Sequence, residues 1–250
     1  MRRISRFMLG LLAILWLASS PTVAQPRSGQ DVIRTMHDRY AGAWYPTVTF
    51  VQNVLYRDGR PALDMWEALK IPGRLRIDVG PIAAPSRTIV FHDEMRAVFE
   101  KGKLTGTTRN PNLLLVLGFD VYGQPPETTI RVLQSEGFDL SKIREDIWDG
   151  RPAWVVGAAE GDLTTAQFWV EKERLLFLRL VQKNQAGGLS DIRFTKYEPL
   201  GRGWISTVVV FLIDGQETFR EVYRDWTVNP DVTDSLFDLV EWKPPAWVKH

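Results

Sequence analysis

Cysteine is absent from the 250 residues. That removes disulfides, thiolate metal ligands and thiol nucleophiles, and also the lipid-modified N-terminal cysteine that would tether an exported chain. Histidine is scarce as well, with His37, His92 and His250 the whole supply. His37 falls in a helical pattern, His92 in an expected turn and His250 at the end of the chain, where a solvated side chain is the ordinary outcome. No G-x-S-x-G elbow, H-E-x-x-H pair, EF-hand loop or P-loop occurs, and a serine triad needs an oriented base that nothing here supplies. The protein is therefore expected not to be an enzyme and to need neither cofactor nor metal.

Long apolar runs are missing beyond the first 24 residues. Those residues, MRRISRFMLGLLAILWLASSPTVA, place Arg2, Arg3 and Arg6 before an apolar run from Phe7 to about Ala18, followed by small residues ending at Ala24. This is the layout of a cleaved secretory signal. Its apolar run falls short of the roughly 17–25 residues of a spanning helix, so residues 1–24 are expected to leave a protein free in the periplasm. Cleavage removes three arginines and no acid, which takes the formal net charge from +1 to −2. A surface this close to neutral gives no warrant for binding nucleic acid, which depends on clustered Lys and Arg. Gly/Ser linkers, repeats and low-complexity tracts are also lacking, so residues 25–250 are expected to form one domain.

What remains is mostly strand. From Gln30 to Ala43 the residues Val32, Ile33, Met36 and Tyr40 recur at helical spacing, with Ser28 upstream as a cap. The period then becomes two. Runs at 47–56, 62–69, 74–79, 87–92 and 96–100 are separated by short turns such as Asp58-Gly59 and Pro72-Gly73. A second series covers 143–148, 153–157, 165–170, 175–182, 191–198, 204–213 and 218–228. Between the two series lie the apolar run Leu113–Leu117 and a helix expected from Glu127 to Ser135 behind Pro125-Pro126. About eleven strands joined by short turns imply an antiparallel sheet and an α+β, mainly β, fold.

Two stretches break the alternation of a half-buried strand. From Leu175 to Val181 only Arg179 is polar, and Trp204–Ile213 is apolar on both sides beyond Ser206 and Thr207. Nine tryptophans remain after Trp16 leaves with the signal, each most simply read as core or rim packing. Carboxylates such as Glu145-Asp146, Asp149, Asp231 and Asp234 fall at turns and strand ends, where acids usually face water.

In this order the segments resemble the LolA-like family, periplasmic carriers of outer-membrane lipoproteins and their lipid-binding relatives. Phe50-Val51-Gln52 is similar to the family's F-x-Q first strand. Trp66 followed by "LKIPGRLRID" resembles its tryptophan strand and Pro-led return strand, and "TIVFHDEMRAVFEK" its next hairpin. "NPNLLLVLG", "FWVEKERLLFLRLV" and "VNPDVTDSLFDL" with Pro244-Pro245 complete the series. The resemblance implies a strongly curved, incomplete antiparallel half-barrel, with the N-terminal helix and helical lid segments closing an apolar concave side where acyl chains bind.

Two positions depart from the family. Ile71 stands where the carrier has an arginine before the proline, so its hydrogen bonds cannot be made here. The aromatic finish to the display hairpin is thin, with Val98 and Phe99 followed by Glu100 and Lys101.

Carried onto this chain, the resemblance and the alternation together nominate Phe50, Val54, Leu75, Ile77, Phe91, Phe99, Phe168, Leu176, Leu178 and Phe211 as lining, with Leu113 and Leu115 in the lid. Arg87, Arg96 or Arg179 would select a headgroup if one of them reached the mouth. The expected function is periplasmic binding or carriage of lipid, acylated protein or other hydrophobic cargo, with a membrane-associated protein as donor or acceptor. The alternative is a module of the same shape, filled by its own side chains and used in envelope sensing or assembly, which would need an exposed apolar patch.

Overall fold

The computed structural model describes residues 25–245. The expected signal peptide and residues 246–250 lie outside the described residues. The chain opens with helix α1 (Gly29–Tyr40) and continues through six strands: β1 (Thr47–Tyr56), β2 (Leu63–Lys70), β3 (Arg74–Val79), β4 (Arg87–His92), β5 (Met95–Glu100) and β6 (Lys103–Arg109). Helices α2 (Leu113–Gly118) and α3 (Pro126–Ser135) follow. Seven more strands end the fold: β7 (Ile143–Trp148), β8 (Arg151–Val156), β9 (Gln167–Glu171), β10 (Phe177–Lys183), β11 (Leu189–Leu200), β12 (Gly203–Ile213) and β13 (Gln216–Val228).

All thirteen strands join one antiparallel sheet in the order β6-β5-β4-β3-β2-β1-β13-β12-β11-β10-β9-β8-β7. The two meanders therefore meet where β1 pairs with β13, and the sheet ends at β6 and β7, which do not pair with each other. The result is a curved, open half-barrel. Register shifts at Thr49/Val51, Val98/Phe99, Phe177/Arg179 and Phe211/Leu212 bend it, since an extra residue kinks a strand and increases its twist. The twelve runs expected from alternation all form strands, and the thirteenth, β6, "KLTGTTR", is an exposed edge strand without apolar alternation.

The helices pack on the concave side. Ser28 caps α1 by accepting the amide of Asp31 at 3.2 Å, and Val32, Ile33, Met36 and Tyr40 form its buried face. Gly29 is required by close approach, since a Cβ there would lie 2.3 Å from Val156 Cγ1. Asn112 caps α2, its Oδ1 accepting the amides of Leu114 and Leu115 at 3.1 Å, and Pro126 starts α3 where a missing N–H does no harm. Tyr122 fastens this helical insert to the second meander: its hydroxyl donates to Leu175 O and accepts from Phe177 N, both at 3.2 Å, and its ring stacks on Trp44.

The convex side has its own cover. Ala68, Val90, Ala97 and Phe99 pack under Val232, Leu236 and Phe237 of the C-terminal segment. Beneath it lies an ion pair, with Arg76 1 % and Asp78 0 % exposed. Arg76 donates twice to Asp78, at 2.7 and 3.0 Å, Thr88 donates to Asp78 at 2.6 Å, and Trp242 donates to Thr88 at 3.0 Å. Among the described residues no helix is long and apolar enough to cross a membrane.

Candidate functional site

Cross-strand register settles which residues face inward. Phe50 pairs with Glu67, Glu67 with Ile77 and Ile77 with Ile89, so these four form one row across β1–β4 on the concave face. The neighbouring row runs Leu69, Leu75, Phe91, Arg96 across β2–β5. From the other side of the sheet, Phe194 of β11, Phe211 of β12 and Glu221 and Tyr223 of β13 converge on the same space. Leu114, Leu115 and Phe119, in and just after α2, close it. The cavity they line has a volume of about 250 Å³. Its walls are mainly aliphatic and aromatic, interrupted by Gln52, Glu67, Arg96, Asn112, Glu221 and Tyr223.

A wider cleft of about 890 Å³ adjoins it, sharing Phe91, Asn112 and Leu114 and extending past Arg109, Glu136, Thr165 and Gln182. The N-terminus of α2 is thus the partition between the apolar cavity and this polar cleft. Beyond the cavity, the concave face continues as half-buried aromatics, with Phe211 stacked on Phe219 at 4.2 Å.

The polar groups in the cavity are unusual for their setting. Glu67 is 4 % exposed and its Oε1 has no hydrogen-bond partner. Burial, reinforced by the charge of Glu221, pushes its carboxyl well above the ordinary range. Glu221 is half-buried and borders the cavity. Burial raises its pKa to about 7 against the pull of hydrogen bonds from Tyr223 and Gln52. The Tyr223 hydroxyl donates to Glu221 Oε2 at 2.5 Å, and burial, then the neighbouring Glu221, raises that phenol too. Arg96, on the opposite wall, has a buried Nε without a partner.

Of the residues nominated from sequence, Phe50, Leu75, Ile77, Phe91, Leu115 and Phe211 are brought together in the cavity wall. Leu113 lines the adjoining cleft instead. Val54 faces the concave side opposite Leu63 and Glu221, one step beyond the cavity. Phe168 and Leu176 are fully buried in the core beneath the helices, with Phe168 against Phe138 at 6.1 Å, so they fill space where lining was expected.

Phe99 and Leu178 are on the wrong side. Phe91 pairs with Arg96, which puts the even residues of β5 inward and turns Phe99 to the convex face under Phe237. In β10 the register shift between Phe177 and Arg179 puts Phe177 and Leu180 inward and Leu178 outward, against Trp169, Ala153 and Val155. The doubly apolar second hairpin therefore meets the helical core on one face and a convex aromatic patch on the other, and neither face borders the apolar cavity. On that patch Arg179 pairs with Asp191 at 2.7 Å and lies 5.2 Å from the Trp169 ring, far from any mouth. Arg87 pairs with Glu100, and of the three arginines considered only Arg96 reaches the cavity.

Sequence reasoning missed Met65, Glu67, Leu69, Ile89, Phe194, Glu221 and Tyr223. Alternation through Met65, Glu67 and Leu69 carried a signal, but only pairing with Phe50 tells that this set faces inward.

No protein-family model and no curated protein matches the sequence. Solved structures do. A DUF1329 family protein from Desulfovibrio piger is similar at TM-score 0.54 and 15 % identity, over 84 % of this chain and 95 % of that one. A putative outer membrane lipoprotein-sorting protein domain from Vibrio parahaemolyticus is similar at TM-score 0.54 and 11 % identity, over 84 % and 96 %. A LolA superfamily protein from Nitrosomonas europaea is similar at TM-score 0.53 and 13 % identity, over 84 % and 97 %. The open, curved sheet closed by helices on its hollow side is shared with these proteins over nearly their whole lengths: this chain has the LolA-like fold.

Proposed function

We propose that the protein binds the apolar part of a lipid or acylated molecule in the concave cavity, in the periplasm, and passes it to a membrane-associated partner. The cavity itself carries this reading: about 250 Å³ walled by Phe50, Leu75, Ile77, Phe91, Leu115 and Phe211 is space the chain leaves unfilled. At about 30 Å³ for a group of water or methylene size, it holds roughly eight such groups. Each methylene moved out of water gains about 0.8 kcal/mol, so such a segment supplies roughly 6 kcal/mol before the losses of association. A longer chain runs past Phe91 and Leu114 into the adjoining cleft, which makes the start of α2 the threshold that cargo crosses.

Periplasmic residence rests on the secretory layout of residues 1–24, and a sorting role on the likeness to a lipoprotein-sorting domain. Ile71, which packs against Gly123, supplies no donor for the closure that arginine gives the carriers. Binding and release therefore fall to α2.

Organic extraction of the purified protein should release lipid, and a fluorescent fatty acid should bind. Leu115→Asp, which sets a charge in the lid, should weaken that uptake at least tenfold while far-ultraviolet circular dichroism still reports the sheet. Unchanged uptake, or a clean apo mass with a stoichiometric protein partner, would replace carriage by an interaction role.

A further inference from the structure

One wall of the cavity carries groups that a pocket for bare hydrocarbon does not need. Glu67 projects from the middle of β2, next to Phe50 in the register, and is 4 % exposed. Its Oε1 accepts no hydrogen bond from the protein. Buried acceptors left without a donor are rare because they are strongly destabilising. Nothing nearby relieves this one. The Tyr223 hydroxyl is spent on Glu221, and the Gln52 amide nitrogen reaches Met65 Sδ at 3.6 Å. Glu67 is among the residues that line the space that takes the cargo.

We infer that Glu67 is the recognition point for the polar end of the cargo, so that the cavity takes amphiphiles whose head donates a hydrogen bond, a hydroxyl or an amine, in preference to carboxylates or headless chains. This rests on the cavity being a site for hydrophobic cargo, and it names which cargo. A donor head hydrogen-bonds the Glu67 carboxyl while its chain lies along Ile77, Ile89 and Phe91. An anionic head would give up its water in a space where burial already disfavours the charged form of Glu67 and Glu221. Arg96 is the one basic lining residue. It sits on β5, three strands from β2, which at about 4.8 Å per strand is roughly 14 Å along the sheet. The charge that acts on Glu67 is that of Glu221, with no contribution from Arg96.

The test is competition against a bound fluorescent fatty acid by dodecanol, dodecylamine, dodecanoate and methyl dodecanoate, using the full mature chain. At least one donor-headed probe should bind about tenfold tighter than the carboxylate and the ester, the size of one hydrogen bond. Glu67→Leu should abolish that difference while leaving the ester's affinity unchanged or improved. Glu67→Gln keeps an acceptor oxygen without charge, so it should preserve a preference for the alcohol and remove one for the amine. Four equal affinities, indifferent to both variants, would overturn the inference and leave cargo binding intact. Tightest binding of dodecanoate, lost in Arg96→Gln, would overturn it in favour of the guanidinium. Failure of every probe, the ester included, would remove the cavity reading and this inference with it.

Discussion

Replacing Glu221 by glutamine should stabilise the protein, and by more as the pH rises. Burial holds the Glu221 carboxyl at about 7, whereas the same group in an unfolded chain titrates near 4.5. Between those values the unfolded chain has released a proton that the folded chain still binds, so stability falls as the pH rises through that interval. The contribution is whole below about pH 4.5 and gone once the pH passes about 7. Moving the pKa that far is worth about 3 kcal/mol, at 1.36 kcal/mol for each tenfold change in proton affinity.

Glutamine has no proton to lose and keeps a carbonyl oxygen for the Tyr223 hydroxyl, so the network survives the substitution. Urea denaturation of both proteins at several values between pH 4 and pH 8 should give a stability difference near zero at the acid end. It should grow to about 3 kcal/mol in favour of the variant at the other end. Glu67 is shifted the same way by the same burial, so adding Glu67→Gln should steepen the effect. A difference that does not change with pH would mean that Glu221 is hydrated in the folded protein, and the walls drawn around the cavity would be wrong.

The convex ion pair gives a second prediction. Asp78→Ala leaves the Arg76 guanidinium, 1 % exposed, without its partner and should cost about 3–5 kcal/mol in chemical denaturation, whereas the double change Arg76→Met with Asp78→Leu should cost far less. Additive losses would show that the two charges do not depend on each other. A third concerns the C-terminal cover: Phe237→Ala empties a site with no exposure and should lose about 3–5 kcal/mol. It should also speed proteolysis between Asn229 and Trp242, and an unchanged cleavage rate would show that other contacts hold the segment.

Alternation shows the two faces of a strand but not which of them is inward. It found the period of nearly every strand, because residues such as Leu75, Ile77 and Val79 keep one side apolar. It failed at β6, where all seven residues are exposed and an edge needs no apolar face. Sidedness came out right for Phe50, Ile77 and Phe91, and wrong for Phe99, because this sheet is apolar on both faces where the C-terminal segment covers it. At Leu178 the register shift alters the alternation locally, and no residue type announces a bulge. The carboxyls escaped notice for another reason. A glutamate in a strand is ordinarily taken to face water, and Glu67 and Glu221 look like any surface acid until the register sets them beside Phe50 and Val209.

These misplaced acids and the unfilled space lie together, and their energetics bear on each other. Space of about 250 Å³ that the side chains leave unfilled forgoes packing that a closed core would gain. The two carboxyls, both pushed up by burial, are a further cost. A domain's net stability is only about 5–15 kcal/mol, so a half-barrel with these features would be marginal without strong support elsewhere. That support is found away from the cavity, in the convex cover clamped on Arg76 and Asp78 and in the aromatic core around Trp44 and Tyr122. An apolar chain with a donor head would return both losses at once, restoring packing and satisfying Glu67. Binding is then coupled to stability, so the protein should be held most firmly when loaded and become easiest to open at α2 once its cargo has gone.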